Sequence, residues 1–275
     1  MKDCREEWYD ATRKVAMTVV DVTAAAQTLA AGHLCGPTSA HCLAEALAAA
    51  ALLGAEMSDS AETLILQMKC SGPLGGYNVE CTAAGTLRGY TEKKILDEFD
   101  ATALRFSKAG MRKILGDCQV QVTRSVPGRI LSQGISNSLD GYLAGSLQRR
   151  ACVFTEASVT DEVEVSFARG VLVEALPDSG ESVGDLVAPL VAEGGRKADV
   201  RSLAIASRAL LGKLGLGAAE LRKTAPLSFA CRCSPERAAA TLAALSAEER
   251  AGLPRTVDVT CHMCGRTFTV GGAEQ

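Results

Sequence analysis

Four cysteines near the end of the chain carry its clearest chemistry. They read Cys231-Arg232-Cys233, then 27 residues, then Cys261-His262-Met263-Cys264-Gly265. Four thiolates suit Zn(II), which takes tetrahedral sulfur coordination and has no redox chemistry of its own. A CxC pair followed by a CxxC pair is a strong metal-site signal, and it predicts one zinc per chain. Such a closed site leaves no open position for water, so hydrolytic zinc chemistry is not expected and the chain reads as a non-enzyme. His262 lies inside the CxxC turn and is expected to face solvent rather than to ligate. The plainest role for the site is a structural zinc ribbon. A thiol switch is the sharper alternative, because zinc keeps sulfur deprotonated and thiolates are what oxidants attack. Arg232 and Arg266 flank the cysteines and would favour negative sulfur. Oxidation of the ligands would withdraw a binding energy on the order of 10 kcal/mol from a module too small to fold without it.

The elements that must position these sulfurs are readable nearby. Val257–Thr260 and Thr267–Val270 alternate as strands on either side of the CxxC turn, and Gly265 permits that turn. Ser234 is placed to cap a helix with Pro235 at its first position, and Ser246 and Glu249 have capping-box spacing for a second. Upstream, Thr38–Leu53 predicts a buried Ala- and Leu-rich helix. Strands are expected at Thr63–Lys69, Tyr77–Cys81, Thr86–Thr91 and Gln119–Arg124, with a turn over Ser71–Gly76. Ser138–Arg149 reads as helix and Val163–Val173 as strand, turn and strand. The fold class is therefore α+β. Three regions are expected: an α+β domain over residues 1–177, a linker over 178–226, and the zinc domain over 227–275. The linker's helical stretches, Val183–Val191 and Leu203–Leu216, are weakened by Pro189, Gly212, Gly215 and Gly217, so they need a neighbour to lie against.

The remaining cysteines, Cys4, Cys35, Cys42, Cys70, Cys81, Cys118 and Cys152, are scattered and read as small core hydrophobes. His33 and His41 lack regular ligand spacing with Cys35 and Cys42, and the three histidines of the chain support no Ser-His-Asp set. Gly72-Pro73-Leu74-Gly75-Gly76 is followed by a strand and no Lys-Ser/Thr, which excludes a phosphate-cradling loop. A zinc ribbon for nucleic acid is the main rival. However, Leu227–Gln275 holds five basic and five acidic residues, and the whole chain is at −3 with one Trp, four Tyr and six Phe. Phosphate contacts and base stacking would both be poorly supplied, so no nucleic-acid partner is expected. A thiol oxidoreductase would need a CxxC at a βα start, absent here. With no apolar run of about 18 residues and no secretory signal at the N-terminus, no membrane partner is expected and a cytoplasmic location is inferred.

The CxC and Val-Thr-Cys-His-x-Cys-Gly motifs, at Cys231, Cys233, Cys261 and Cys264, resemble those of the heat-shock protein 33 family, redox-regulated holdase chaperones. Ala46–Leu53, Leu64-Ile65-Leu66-Gln67, Gly72–Gly76, Leu87-Arg88-Gly89-Tyr90 and Gly170-Val171-Leu172-Val173 follow in the family's order. The resemblance implies a client-binding N-terminal α+β domain, a metastable redox-sensitive linker and a zinc domain that is off when reduced. It implies disulfides Cys231–Cys233 and Cys261–Cys264 on oxidation, release of Zn(II), unfolding of the linker, and ATP-independent capture of unfolded or oxidatively damaged clients. It also implies a monomer when reduced and a homodimer when oxidised. The chain departs from the family pattern over Ser132–Thr160. It also ends five residues after Val270, without the acidic-apolar tail of many members.

Overall fold

A computed structural model of the chain describes residues 3–102, 108–191 and 203–271. The chain opens with a hairpin, β1 (Cys4–Asp10) and β2 (Val15–Asp21), followed by α1 (Thr23–Gly32) and α2 (Pro37–Leu53). Next come β3 (Thr63–Cys70), β4 (Gly76–Thr82), β5 (Thr86–Thr91), α3 (Asp97–Asp100), α4 (Lys108–Leu115), β6 (Cys118–Val126) and β7 (Arg129–Ser136). Then follow α5 (Leu139–Gly145), β8 (Arg150–Val159), β9 (Val165–Ala175), α6 (Val183–Val187), α7 (Ser207–Lys213), β10 (Glu220–Pro226) and β11 (Ser228–Phe229). The C-terminal part carries α8 (Pro235–Ala243), α9 (Ala247–Ala251), β12 (Thr256–Thr260) and β13 (Thr267–Gly271). Mixed helix and strand is the class expected.

Two sheets enclose α2. The first has the order β10-β1-β2-β9-β8 and the second β11-β5-β4-β3-β6-β7. Every residue of α2 except Glu45 is buried. A helix that is apolar on all sides must be covered on all sides, and its run of alanines lets both sheets approach closely. The stretch Pro37–Glu56 is long and apolar enough to cross a membrane, but 89% of its most apolar window is buried inside the fold. The helix start has no capping side chain of its own at Gly36; Asp100 supplies the cap from a distance, accepting from the Thr38 amide at 2.9 Å.

The period of two along the strands separates two cores. On β9, Ala168 and Leu172 face α2, while Val171 and Val173 face the opposite side of the first sheet. That outer face, with Trp8, Val15, Met17 and Val19, is covered by Leu186, Leu190, Leu203, Leu210, Leu211 and Leu214. The described parts of segment 178–226 therefore lie against the first sheet, and the segment ends in β10, antiparallel to β1. Its helices are five and seven residues long, too short to hold alone. What keeps them is leucine burial, at roughly 2 kcal/mol per side chain. Residues 192–202 of this expected linker lie outside the described residues, as do 272–275 at the C-terminus.

Two expectations are corrected. Val163–Val173 is not strand, turn and strand: Val163 belongs to the turn that follows β8, its amide donating to the Thr160 carbonyl, and β9 then runs unbroken from Val165 to Ala175. Gly170 serves close packing instead, since a Cβ there would lie 2.8 Å from Leu52 Cδ1 and 3.1 Å from Val20 Cγ2. The helix expected over Ser138–Arg149 stops at Gly145. Gln148 takes a left-handed φ of 53°, and Arg149 turns to pair with Glu174 and Glu56.

Candidate metal centre

The zinc-type module is built from short elements with strong local signals. The Ser234 hydroxyl accepts from the Arg237 amide, with Pro235 starting α8, and Ser246 and Glu249 form a complete capping box at α9. β12 and β13 pair antiparallel from Thr256↔Gly271 to Thr260↔Thr267. Between them the chain turns sharply: the Cys264 and Gly265 amides donate to the Cys261 carbonyl, and the Cys261 amide donates to the Arg266 carbonyl. Gly265 sits at φ +73°, the left-handed value that closes the knuckle.

These turns gather Cys231, Cys233, Cys261 and Cys264 so that all four sulfurs lie within 4.8 Å of one another. The Cys231–Cys261 and Cys233–Cys264 Sγ separations are 3.7 and 3.5 Å. A tetrahedron with zinc–sulfur bonds of about 2.3 Å has edges of about 3.8 Å, so the donor set fits a zinc ion in number, type and spacing. Among the described residues no other group of three or more potential ligands converges in this way. His33 and His41 take separate roles: His33 Nε2 donates to the Gly89 carbonyl at 2.9 Å, and His41 lies 3.8 Å from Glu45. His262 is exposed, as expected, but its ring stands edge-on to Tyr90 with centroids 4.0 Å apart.

The module is seated on the second sheet. β11 runs parallel to β5, pairing Phe229 with Leu87, and the Ala230 amide continues the ladder to the Leu87 carbonyl. Cys231 thereby arrives beside Arg88, whose guanidinium lies 3.8 Å from its sulfur. The Gly89 amide donates to the Met263 carbonyl at 3.0 Å, which ties the CxxC turn to the same strand. Glu80, on β4, joins the two halves: it binds Arg88 at 2.6 Å and Arg232 at 2.7 Å.

Arg88 and Glu80 adjoin the cysteine cluster in a way that the sequence does not disclose. They lie far from the cysteines along the chain; Arg88 falls in the Leu87-Arg88-Gly89-Tyr90 stretch, but nothing in that stretch points to the sulfurs, and no motif marks Glu80. Arg232, expected to favour negative sulfur, extends instead to Glu80. Arg266 contributes main-chain groups, its N–H facing the Cys264 sulfur. Burial pushes the Cys231 thiol up, but the Cys233 amide and the Arg88 guanidinium outweigh it and hold the group at about 7. Burial raises Cys233 and Cys264, and neighbouring thiols add to the rise at Cys264.

From Ser228 to Gly271 only Ala238, Cys264 and Val270 are buried. So small an apolar core cannot order the segment, and order must come from the sulfur centre and from contact with β5 and α1.

The Hsp33 protein family model matches residues 7–271. A 33 kDa chaperonin of Thermus thermophilus is 29% identical, the match covering 93% of this chain and 80% of that protein. The 33 kDa chaperonin of a second strain of the same species is 30% identical over 86% of this chain and 74% of that protein. A 33 kDa chaperonin of Geobacillus kaustophilus is 27% identical over 88% and 85%. The crystal structure of the Thermotoga maritima 33 kDa chaperonin, a heat shock protein 33 homolog, superposes with a TM-score of 0.83 at 18% identity, covering 98% of this chain and 95% of that one. With the family model spanning nearly the whole length, over a fold and a cysteine cluster of the matching kind, this chain belongs to the Hsp33 family.

Proposed function

We propose that the protein is a redox-regulated, ATP-independent holdase chaperone that binds unfolding or oxidatively damaged proteins in the cytoplasm. Cys231, Cys233, Cys261 and Cys264 hold one Zn(II) in the reduced, inactive, monomeric form. Two equivalents of a two-electron oxidant such as hypochlorous acid would take four electrons from the four sulfurs, close Cys231–Cys233 and Cys261–Cys264, and leave no thiolate to hold the ion. The observation that carries this reading is the convergence of four sulfurs at tetrahedral spacing in a module with almost no core of its own.

The residues around the centre have definable parts. Arg88 and the Cys233 amide hold Cys231 towards its reactive thiolate, and Glu80 fixes Arg88 while tethering Arg232 of the module. When bound, zinc supplies the cross-link that the module lacks. Loss of that cross-link frees β11 and the knuckle from β5. Strand β10 is connected directly to β11 through Leu227, so the release reaches segment 178–226. Detachment of that segment bares the outer face of the first sheet, Trp8, Val15, Met17, Val19, Phe154, Val171 and Val173, together with the leucines that covered it. A contiguous apolar face of this kind is what an unfolding client would bind, and self-association of the oxidised form as a homodimer follows from the same exposure.

The test is a stepwise hypochlorite titration of the reduced, zinc-loaded protein, following released zinc and suppression of aggregation of a heat-denaturing client. About one zinc per chain should be released in step with the gain of protection. Equal protection by reduced and oxidised protein would end the proposal.

A further inference from the structure

Strands β3 and β6 run antiparallel, and at the end of their ladder Cys70 stands directly opposite Cys118. The surrounding hydrogen bonds fix the type of pair. The Cys70 amide turns away from β6 to the Gly75 carbonyl at 3.1 Å, while the next amide, Ser71, donates to the Asp117 carbonyl at 2.9 Å. Cys70 and Cys118 thus form a non-hydrogen-bonded pair, the class in which opposing Cα atoms are about 4.5 Å apart and side chains are closest. Disulfides span Cα separations of about 4.4–6.8 Å. Both sulfurs belong to one face of the sheet, because the preceding pairs in the same register, Met68↔Val120 and Leu66↔Val122, point into the core. Being at the sheet end, Cys70 and Cys118 are only partly buried, unlike Cys35, Cys42 and Cys81.

We propose that Cys70 and Cys118 are a second redox dithiol, independent of zinc, that closes to a cross-strand disulfide with a two-electron oxidant such as hypochlorous acid. One thiol takes chlorine from hypochlorous acid, giving a sulfenyl chloride and water. The facing thiol attacks that sulfur, forms the S–S bond and releases chloride and a proton. Two electrons pass from the sulfur pair to the oxidant.

The position gives the bridge a consequence. It closes a loop over residues 71–117 that contains β4, β5, α3 and α4. β5 is the strand on which the zinc module is seated, and β4 carries Glu80. The turn after Cys70 is already tied to the end of α4 through Gly72 and Leu74, whose amides donate to Leu115 and Ile114. A bridge here staples the docking platform at the moment when the module leaves it, so that oxidation loosens one half of the protein and secures the other.

Peptide mapping of the full chain decides the matter. Reduced, zinc-loaded protein is treated with hypochlorite, surviving thiols are alkylated, and the digest is read by mass spectrometry before and after reduction. A Cys70–Cys118 linked peptide that disappears on reduction is expected. In Cys70→Ser the linked peptide should vanish with zinc release unchanged, and the oxidised variant should melt several degrees below oxidised wild type. Recovery of both cysteines as alkylated thiols after all zinc has gone, or of either one bridged to another cysteine, overturns the proposal. The wild-type map decides even if the variant folds poorly, and it reads these two sulfurs whether or not the C-terminal centre acts as a switch.

Discussion

Gly32, the last residue of α1, and Gly265, behind the CxxC turn, meet backbone to backbone. A Cβ on Gly32 would lie 2.7 Å from the Cys264 carbonyl oxygen, and a Cβ on Gly265 would run into the Gly32 carbonyl itself. The seat of the metal centre is thus a glycine–glycine contact that leaves no room for a methyl group on either side.

Gly265→Ala should loosen this seat by roughly 2–3 kcal/mol, combining the clash with left-handed strain at φ +73°. Gly32→Ala carries the clash alone and should lose less. Because both substitutions break one contact, the double variant should lose clearly less than the sum. Limited proteolysis of the reduced protein and chelator competition for zinc measure the effect. Strict additivity would show that the two glycines act separately.

Glu80 should matter far more than the arginine it holds from the module. Arg232 is largely exposed, with its side chain 60% accessible, so Arg232→Ala should remove no more than about 1 kcal/mol. Glu80→Ala leaves Arg88, only 15% accessible, without its carboxylate. Breaking a buried pair from one side costs about 3–5 kcal/mol. Thermal unfolding of the zinc-loaded protein should therefore separate the two variants by several degrees, and equal shifts would contradict the assignment of Glu80 as the joint.

The contrast between these residues shows what is legible in the sequence. The knuckle strands, the Ser234 cap with Pro235, the Ser246–Glu249 capping box and the buried helix at Pro37–Leu53 all rest on signals within a few residues, and they form as expected. The turn expected between two strands within Val163–Val173 is absent, and the reason for the glycine there, the approach of Leu52 to Gly170, lies over a hundred residues away in sequence. The Ser138–Arg149 helix is cut short because Arg149 is drawn to glutamates on other elements. The N-terminal hairpin and α1 stand outside the expected elements, although Val15, Met17 and Val19 do alternate with a strand's period. Spacing alone identifies the four sulfurs; the contacts by which Arg88 and Glu80 join them to the sheet are set by tertiary structure.

Acid should weaken the same junction through His33. Burial, with Lys94 and His262 nearby, lowers this imidazole from 6.5 to about 4, against the opposing pull of the Gly89 and Met263 carbonyls. A group whose folded value lies below its unfolded one contributes fully above pH 6.5 and loses that contribution as pH falls towards 4. Between pH 7 and 5 the loss is at most about 2 kcal/mol, and solvent screening at the edge of the junction reduces it. His33→Gln keeps a side-chain amide where Nε2 lies and removes the titration. Urea midpoints at the two pH values should fall more for wild type than for the variant. Parallel falls would place the acid sensitivity elsewhere, in the thiolates for example.

The linker can be tested without touching sulfur. Leu211 is fully buried in α7, in the cluster with Met17, Val171 and Val173 on the outer face of the first sheet. Leu211→Ala should remove about 2–5 kcal/mol from that contact, more than a seven-residue helix can supply from its own backbone. If detachment of segment 178–226 is what exposes the client-binding face, the variant should protect a denaturing client while still reduced. It should do so with one zinc per chain retained, because none of its changed contacts involves the metal centre. Hypochlorite should then add little further protection, although it should still empty the site. A reduced Leu211→Ala protein that is destabilised yet inactive as a chaperone would show that the client surface lies elsewhere, and that zinc release acts by a route other than uncovering this sheet.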